Sequence, residues 1–254
     1  MNIKLLQAIL NIGKSIYWFM AAALLPTKSG AVVLTYHSVG DNGFSFTVSK
    51  KVFERQLKYI KNKKWNVVSL PELVVMLKKK RKIPLKTVAI TFDDAYSDFI
   101  ENALPVLEKY EIPATIFVPT DFVGRSMNNV DGALPLLNWS HLINLAAHPL
   151  VTIGSHTKSH LVLPDVTNLD LLSLELKESR ETLNSKLNID CRYFAYPKGK
   201  RSERIEAEVA KYYDVAFGTR PGRVTVDNSN MLHLNRKGVY SWTTFEKFKF
   251  LLKR

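Results

Sequence analysis

Short apolar runs alternate with amphipathic stretches along most of the chain after Pro26. The runs are rich in β-branched residues and almost continuous, which is typical of strands buried on both faces. Between them, apolar residues recur every three or four positions, which predicts helices. We predict strands at 31–36, 87–92, 114–118, 151–155, 193–195, 215–217 and 232–234, and helices at 52–61, 73–80, 99–110, 140–147 and 169–187.

This alternation predicts an α/β fold with a parallel sheet covered by helices. Seven strand-helix units suit a (β/α) barrel better than an open sheet. We expect Pro71 to occupy the first position of its helix and Asn168 to cap the next long one. The pattern indicates a single domain over residues 29–254, preceded by a distinct segment, 1–28.

Residues 1–28 are predicted to form an apolar or amphipathic helix, and three interpretations stay open. The uncharged stretch 15–27 is shorter than the ~20 residues of a transmembrane helix. It fits a signal peptide with a small-residue cleavage site at 21–23. It also fits a helix lying on a membrane surface, or one that docks against the domain.

Composition narrows the classes of partner. Lys and Arg outnumber Asp and Glu by 36 to 23, giving a net charge of +13. The lysine runs follow predicted helices, which indicates a solvated face, with attraction to an anionic membrane or glycan as the alternative. No basic motif with interleaved aromatic residues indicates nucleic-acid binding. A single cysteine, Cys191, excludes an internal disulfide.

Chemically capable side chains follow several predicted strands. His37, Asp93-Asp94 and His156 each come directly after one, and reactive groups of (β/α) barrels gather at that end. Histidines four residues apart share one face of a helical turn, so His156 and His160 could reach one ion. Tandem acids beside two histidines supply three metal ligands and one free carboxylate. This is the minimum set for activating a water molecule.

Three segments resemble the polysaccharide deacetylases with a NodB-type domain (carbohydrate esterase family 4), in the exopolysaccharide and surface-glycan branch. They are Thr-Phe-Asp-Asp at 91–94, His-Thr-Lys-Ser-His at 156–160 and Phe-Ala-Tyr-Pro-Lys-Gly at 194–199. Segments 34–39 and 104–118 and Trp139 extend the likeness, which covers about residues 31–240. The resemblance implies a distorted (β/α)7 barrel that removes acetyl groups from N-acetylated sugars.

Carried over by position, the resemblance makes Asp94, His156 and His160 the ligands of one divalent metal. Zinc is the ion favoured, with cobalt, nickel and manganese as alternatives. Asp93 becomes the general base, because a carboxylate beside the ion can accept the proton of an activated water. Ala95 departs from the glycine common in the family at the next position.

The third motif supplies the substrate-facing groups that the resemblance implies. The backbone N–H of Lys198 is expected to stabilise the oxyanion, and Tyr196, Pro197 and Trp139 to contact the substrate. Lys198 replaces an aromatic residue of the common motif, so an aromatic wall is lost and an anionic group could be met instead. For the general acid we favour His37, at a strand end, over His233, within a predicted strand.

The sequence therefore predicts a metal-dependent glycan N-deacetylase. An O-acetyl carbohydrate esterase of the xylan type and a catalytically weakened sugar-binding homologue are the alternatives. The expected substrate is an acetylated poly- or oligosaccharide, lipid-linked or free, and the expected state is a monomer. The basic charge and apolar N-terminus favour the cell envelope or a membrane surface over the cytoplasm.

Overall fold

The computed structural model describes residues 10, 13–14, 16–18, 20–21, 23–129, 131–227 and 230–254. Its main sheet is parallel and has the strand order β11-β10-β9-β6-β5-β1-β12, with β4 also paired to β5. Short two-stranded sheets, β2-β3 and β7-β8, lie outside it. The strands are β1 (Ala31–Tyr36), β2 (Ser38–Val39), β3 (Thr47–Val48), β4 (Asn66–Val67), β5 (Thr87–Phe92), β6 (Ala114–Val118), β7 (Ser126–Asn129), β8 (Gly132–Pro135), β9 (Val151–Ser155), β10 (Tyr193–Ala195), β11 (Val215–Phe217) and β12 (Lys237–Gly238).

Helices connect most successive strands of the main sheet, as parallel pairing requires. The α-helices are α1 (Lys50–Asn62), α2 (Leu70–Lys78), α3 (Leu104–Lys109), α4 (Trp139–Ala146), α5 (Leu169–Leu187), α6 (Glu203–Val209) and α7 (Phe245–Lys253). Shorter turns comprise a π-helical segment, Phe99–Ala103, and 3₁₀ turns at Thr120–Phe122, Leu163–Asp165 and Pro197–Gly199. The prediction of an α/β fold built on a parallel sheet is confirmed.

Six of the predicted strands coincide with β1, β5, β6, β9, β10 and β11. The seventh, predicted at 232–234, was wrong. Asn230 holds that stretch in a turn, because its side chain accepts the N–H of Leu232 and its carbonyl accepts the N–H of His233. Leu234 then bridges Phe217 of β11, and β12 pairs with β1 three residues later. The segment after the turn thus joins the two ends of the sheet.

The starts of two helices differ from those predicted, and the sequence around each explains the difference. Helix α2 begins at Leu70 because Ser69 and Glu72 form a capping box, which puts Pro71 at the second helical position rather than the first. The predicted helix 99–110 begins as a π turn. Pro105 has no N–H to donate to Glu101, whose carbonyl instead accepts a hydrogen bond of 3.1 Å from Lys50 Nζ.

Both faces of the main sheet are apolar. In β1, Val32 and Leu34 belong to one large cluster of buried residues, whereas Ala31 and Val33 belong to another. Alternate residues of a strand point to opposite faces, so two apolar clusters explain why the run 31–36 shows no polar alternation.

The helix predicted over 1–28 lies largely outside the described residues and stays a prediction. Among the residues that are described, no helix has the length and hydropathy needed to cross a membrane.

Candidate active site

The carboxyl ends of β1, β5 and β9 bring four ionisable side chains together. The sheet ladder continues one residue past two of these strands. Asp93 donates its N–H to the carbonyl of Tyr36, and His156 donates its N–H to that of Val118, both at 2.9 Å. The side chains that follow the strands are therefore held by backbone hydrogen bonds rather than by a free loop.

Asp94, His156 and His160 form a compact group in which one donor atom from each lies within 4.8 Å of the others. Asp94 Oδ1 lies 3.5 Å from His156 Nε2 and 3.2 Å from His160 Nε2. Among the described residues, this buried oxygen has no hydrogen bond of ordinary geometry. Two ring nitrogens that converge on a buried, unsatisfied carboxylate oxygen fit a Zn²⁺ ion, which accepts both nitrogen and carboxylate ligands.

The second nitrogen of His156 fixes the direction of its ring. His156 Nδ1 lies 2.7 Å from the carbonyl oxygen of Ala195 in β10, so Nε2 is directed toward Asp94. This is the usual support of a metal-binding histidine. Burial lowers the pKa of His156 to about 4, which keeps the ring neutral and able to donate its lone pair.

The pKa values of Asp94 and His160, the other two members of the group, shift in opposite directions. Burial opposes the charge on Asp94, but the nearby rings of His160, His37 and His156 outweigh it and hold the pKa of this carboxyl well below its usual range. Burial also opposes protonation of His160. The carboxylate of Asp94, which lies 3.2 Å from its Nε2, outweighs burial and raises the pKa of His160.

The prediction that His156 and His160 lie on a helical turn was wrong. Residues 156–160 form an irregular loop in which Thr157 and His160 have left-handed backbones, with φ of 67° and 58°. Left-handed residues interrupt a right-handed helix, so the loop rather than a helix face brings the two rings together. The ring centroids lie 4.9 Å apart.

Glu175 of α5 holds this loop in place. Its buried carboxylate accepts the N–H of Ser159 at 2.8 Å, the hydroxyl of Ser159 at 2.6 Å and the N–H of Lys158 at 3.1 Å. Ser179, one turn further along α5, donates to the carbonyl of Thr157 at 3.0 Å. A buried carboxylate with several charge-assisted hydrogen bonds is a strong anchor.

Asp93 is paired with an arginine. Arg236, which is fully buried, donates to Asp93 Oδ1 at 2.5 Å and to Oδ2 at 2.8 Å. Its remaining N–H groups reach the carbonyl of Gly218 and the hydroxyls of Thr35 and Thr91. Burial would raise the pKa of Asp93, but the charges of Arg236, His156 and His37 outweigh burial and lower it, so the carboxylate is ionised.

Arg236 and Glu175 were not predicted as site residues from the sequence. Glu175 had a visible signal, since it is an acid adjacent to Leu176 within the apolar stripe of α5. No hydrophobic periodicity marks Arg236. It lies just after the turn at 230–233, which overlaps the strand predicted at 232–234, and its pairing with Asp93 spans 143 positions.

The turn after the tandem acids uses two left-handed residues in succession. Asp94 has φ of 71° and Ala95 has φ of 58°. A left-handed alanine costs roughly 1–2 kcal/mol, which explains why glycine suits this position. Ala95 is buried, and its carbonyl accepts the N–H of Leu137 at 2.9 Å. The turn therefore keeps its shape through packing rather than through glycine.

The third motif forms the 3₁₀ turn Pro197–Gly199. Gly199 and Lys200 donate their N–H groups back to Tyr196 and Pro197, whereas the N–H of Lys198 has no acceptor within the turn. The Lys198 side chain is exposed, and its charge acts to lower the pKa of the nearby His160.

Gly199 admits no side chain. Its φ is 66°, and a Cβ atom there would lie 1.9 Å from Thr219 Oγ1. The close approach of the two backbone segments fixes the turn and the direction of its N–H groups.

The expected substrate contacts differ in exposure. Tyr196 is fully buried and its hydroxyl donates to the carbonyl of Leu232 at 2.8 Å, so its ring packs beneath the site. Pro197 is buried as well. Trp139 is partly buried at the start of α4, two residues after Leu137, which is bound to the turn at Ala95.

The two candidate acids lie in different surroundings. The charge of His37 acts on both Asp93 and Asp94, and its buried Nδ1 has no hydrogen-bond partner. His233 instead contacts Glu206, with its Nδ1 3.1 Å from a carboxylate oxygen. The structure brings His37 to the aspartates and places His233 in a separate cluster with Glu206.

The chain belongs to the polysaccharide deacetylase family, whose sequence model matches residues 80–217. The matched segment includes the tandem aspartates, both histidines and the Pro197–Gly199 turn. Members of this family are hydrolases, and those of carbohydrate esterase family 4 depend on a metal.

Individual relatives agree with this assignment. The protein YxkH of Bacillus subtilis is 32% identical over 196 residues, which is 77% of this chain and 66% of that protein. A poly-β-1,6-N-acetyl-D-glucosamine N-deacetylase of Staphylococcus aureus is 26% identical, with 89% of this chain and 83% of that protein covered.

Solved structures show the same fold. The polysaccharide deacetylase BC0361 of Bacillus cereus superposes with a TM-score of 0.73 at 28% identity, covering 88% of this chain and 69% of its own. IcaB of Ammonifex degensii superposes with a TM-score of 0.79 at 24% identity, covering 90% and 99%.

Proposed function

We propose that this protein is a metal-dependent N-deacetylase that acts on a glycan containing N-acetylhexosamine, and that its sheet closes as a distorted (β/α)7 barrel. The observation that supports this activity is that the two adjacent aspartates have different partners. Asp94 joins two histidines in a compact ligand group, while Arg236 holds Asp93 beside it as an ionised carboxylate.

The ligand group would hold one divalent ion, with Zn²⁺ favoured over Co²⁺, Ni²⁺ or Mn²⁺. When bound, such an ion supplies Lewis acidity toward a water molecule and toward the acetamide carbonyl. The ligands Asp94, His156 and His160 fix its position. Ala195 and Glu175 support two of them through the hydrogen bonds described above.

Asp93 acts as the general base. Both of its oxygens are held by Arg236, so its orientation is fixed and its charge is balanced without a bond to the ion. The carboxylate accepts a proton from water as the oxygen attacks the acetyl carbon. The Lys198 N–H, which has no acceptor within its turn, stabilises the negative charge on the carbonyl oxygen.

His37 donates a proton to the leaving amine. It lies close enough to both aspartates for its charge to lower their pKa values, and Tyr240 and Phe46 flank its ring with centroids 6.0 Å away. His233 contacts Glu206, which commits its Nδ1 elsewhere.

Replacing the two histidines separately tests this choice. The His37→Ala variant should lose about 10²-fold or more in kcat, as expected for removal of a general acid. The matched His233→Ala variant should stay within about 3-fold of wild type. Turnover near the wild-type rate in His37→Ala, with a loss in His233→Ala, would assign the acid to His233.

The substrate class follows from the curated relative in Staphylococcus aureus, named for poly-β-1,6-N-acetyl-D-glucosamine. We extend that class to this chain: an acetylated poly- or oligosaccharide, free or lipid-linked. The test is acetate release by the zinc-loaded protein from N-acetylglucosamine oligomers and from acetylated xylan. Release from the oligomers alone supports the proposal. Release from xylan alone indicates an O-acetyl esterase, and release from neither indicates a catalytically weakened homologue.

Association with a membrane surface is part of the proposal. Ile16, Met20 and Leu24 are exposed and recur every four residues, while the neighbouring ring of Trp18 packs 4.7 Å from Phe250 of α7. The positive net charge would add attraction to anionic lipids at the cell envelope. Co-sedimentation with vesicles of anionic lipid, compared with neutral vesicles, tests this part separately.

A further inference from the structure

An exposed tryptophan lies beside the candidate active site. Trp242 belongs to the loop that follows β12 and has 55% of its surface exposed. Its ring stacks on Tyr240, with centroids 4.7 Å apart and an interplanar angle of 17°. Because Tyr240 covers one face of the indole in this nearly parallel arrangement, the exposed area belongs mainly to the opposite face and the edge.

Tyr240 connects this indole to the reaction centre. Its ring centroid lies 6.0 Å from that of His37, and burial, followed by the charge of Asp93, raises the pKa of its hydroxyl. Two ring-to-ring steps therefore lead from the proposed general acid to Trp242. The ring of Phe46 also lies 6.0 Å from that of His37 and stacks on Tyr96. Aromatic rings thus form a connected series from Trp242 past His37 to Tyr96.

The loop that carries Trp242 is fixed rather than free. Tyr240 and Thr243 exchange two hydrogen bonds, from the N–H of Tyr240 to the hydroxyl of Thr243 at 3.0 Å and from the N–H of Thr243 to the carbonyl of Tyr240 at 2.9 Å. Ser241 donates both its N–H and its hydroxyl to the carbonyl of Ser45. Ring orientation is therefore set before any ligand arrives, which lowers the entropic cost of binding.

Polar groups lie beside Ser241, which precedes Trp242 in the chain. Ser241 is bound to the carbonyl of Ser45, and Ser45 donates its N–H and hydroxyl to Asp131, at 2.8 and 2.6 Å. A cavity of about 310 Å³ is lined by residues that include Ser241, Phe44 and Asp41. The flat exposed face of Trp242 matches the apolar C–H face of a pyranose ring, and hydroxyl and carboxylate groups on the neighbouring segments match its polar edges.

We infer that Trp242 is a stacking platform for another sugar ring of the glycan, separated from the reaction centre by the ring of Tyr240. This rests on the proposed function for the substrate class, but it adds a residue outside the motifs of the family resemblance. It predicts that the protein prefers longer chains, because a monosaccharide at the reaction centre cannot also contact Trp242.

The test compares chain lengths in the zinc-loaded, full-length protein. We expect Trp242→Ala to lower the ratio of kcat/KM for a pentamer of N-acetylglucosamine to that for the monosaccharide by on the order of 10-fold, mainly through a higher KM for the pentamer. Trp242→Phe keeps an aromatic face and should recover most of the ratio. Leu85→Ala, which removes another exposed apolar side chain, just before β5, should leave the ratio unchanged.

A binding measurement separates this inference from the proposed activity. Calorimetric titration of the same pentamer into wild type and Trp242→Ala needs no turnover, and the variant should bind about 10-fold more weakly. Equal affinities and equal ratios would overturn the stacking role, as would the absence of pentamer binding by wild type. If wild type releases no acetate but still binds the pentamer through Trp242, the proposed activity fails and the sugar subsite stands.

Discussion

Removing Arg236 tests how the candidate base is held in its ionised form. The guanidinium makes a bidentate pair with Asp93 in which both partners are buried, at 2.5 and 2.8 Å. Arg236→Met keeps much of the side-chain volume and removes the charge. Breaking one partner of a buried pair leaves the other uncompensated and costs about 3–5 kcal/mol. We expect the free energy of unfolding to fall by that amount near pH 7.

The variant should also change the pH dependence. In wild type the pKa of Asp93 is lowered, so its stabilising contribution is present above the ordinary aspartate pKa and is lost as pH falls through the lowered value. Without Arg236, burial raises the pKa of Asp93. The acid limb of kcat/KM should therefore move to higher pH, and deacetylation at neutral pH should fall by about 10²-fold or more.

The assay is acetate release from an N-acetylglucosamine oligomer across pH, paired with urea unfolding. Arg236→Lys keeps a charge but loses the bidentate geometry, so its acid limb should move less than that of Arg236→Met. Arg223→Met is the matched control, because Arg223 donates to backbone carbonyls rather than to an acid. It should lose stability without moving the acid limb. An unchanged acid limb in Arg236→Met, in folded protein, would refute the role assigned to Arg236.

Three further outcomes follow from the site and its support. His156→Ala should lose bound zinc, measured by elemental analysis, by about 10-fold or more at fixed free zinc while circular dichroism stays native. Gly199→Ala should lower kcat by about 10-fold or more, because its Cβ would meet Thr219 and displace the turn. Burial raises the pKa of Cys191 to about 12, so a thiol reagent should label it at neutral pH only after unfolding. Retained zinc in His156→Ala, unchanged kcat in Gly199→Ala or rapid labelling of Cys191 in the native protein would contradict the corresponding prediction.

Local patterns predicted six strands of the main sheet because these strands are almost entirely buried. The runs at 31–36 and 87–92 match β1 and β5 residue for residue, since continuous apolar character reflects burial directly. The positions of His37, Asp93, Asp94 and His156 were predicted from the ends of such strands. The same reasoning failed at 232–234. Leu232 is apolar but lies within a turn that Asn230 fixes, and Leu234 follows that turn.

Features that depend on contacts between residues distant along the chain were not predicted from the sequence. The helical interpretation of His156 and His160 rested on spacing alone, whereas two left-handed residues and the carboxylate of Glu175 shape the loop. Arg236 reaches Asp93 only because the chain returns to β1 after leaving β11. No local pattern encodes that return. Pairing between strands that are distant along the chain decides it.

The most direct test of the central claim is acetate release from an N-acetylglucosamine oligomer by zinc-loaded wild type and by zinc-loaded Asp93→Asn, with bound zinc measured in both. Asp93 is assigned as the base and not as a ligand, so the variant should keep its zinc and lose acetate release by about 10²-fold or more. Equal acetate release by the two proteins would contradict the assignment of Asp93. No release by either would contradict the deacetylase function itself.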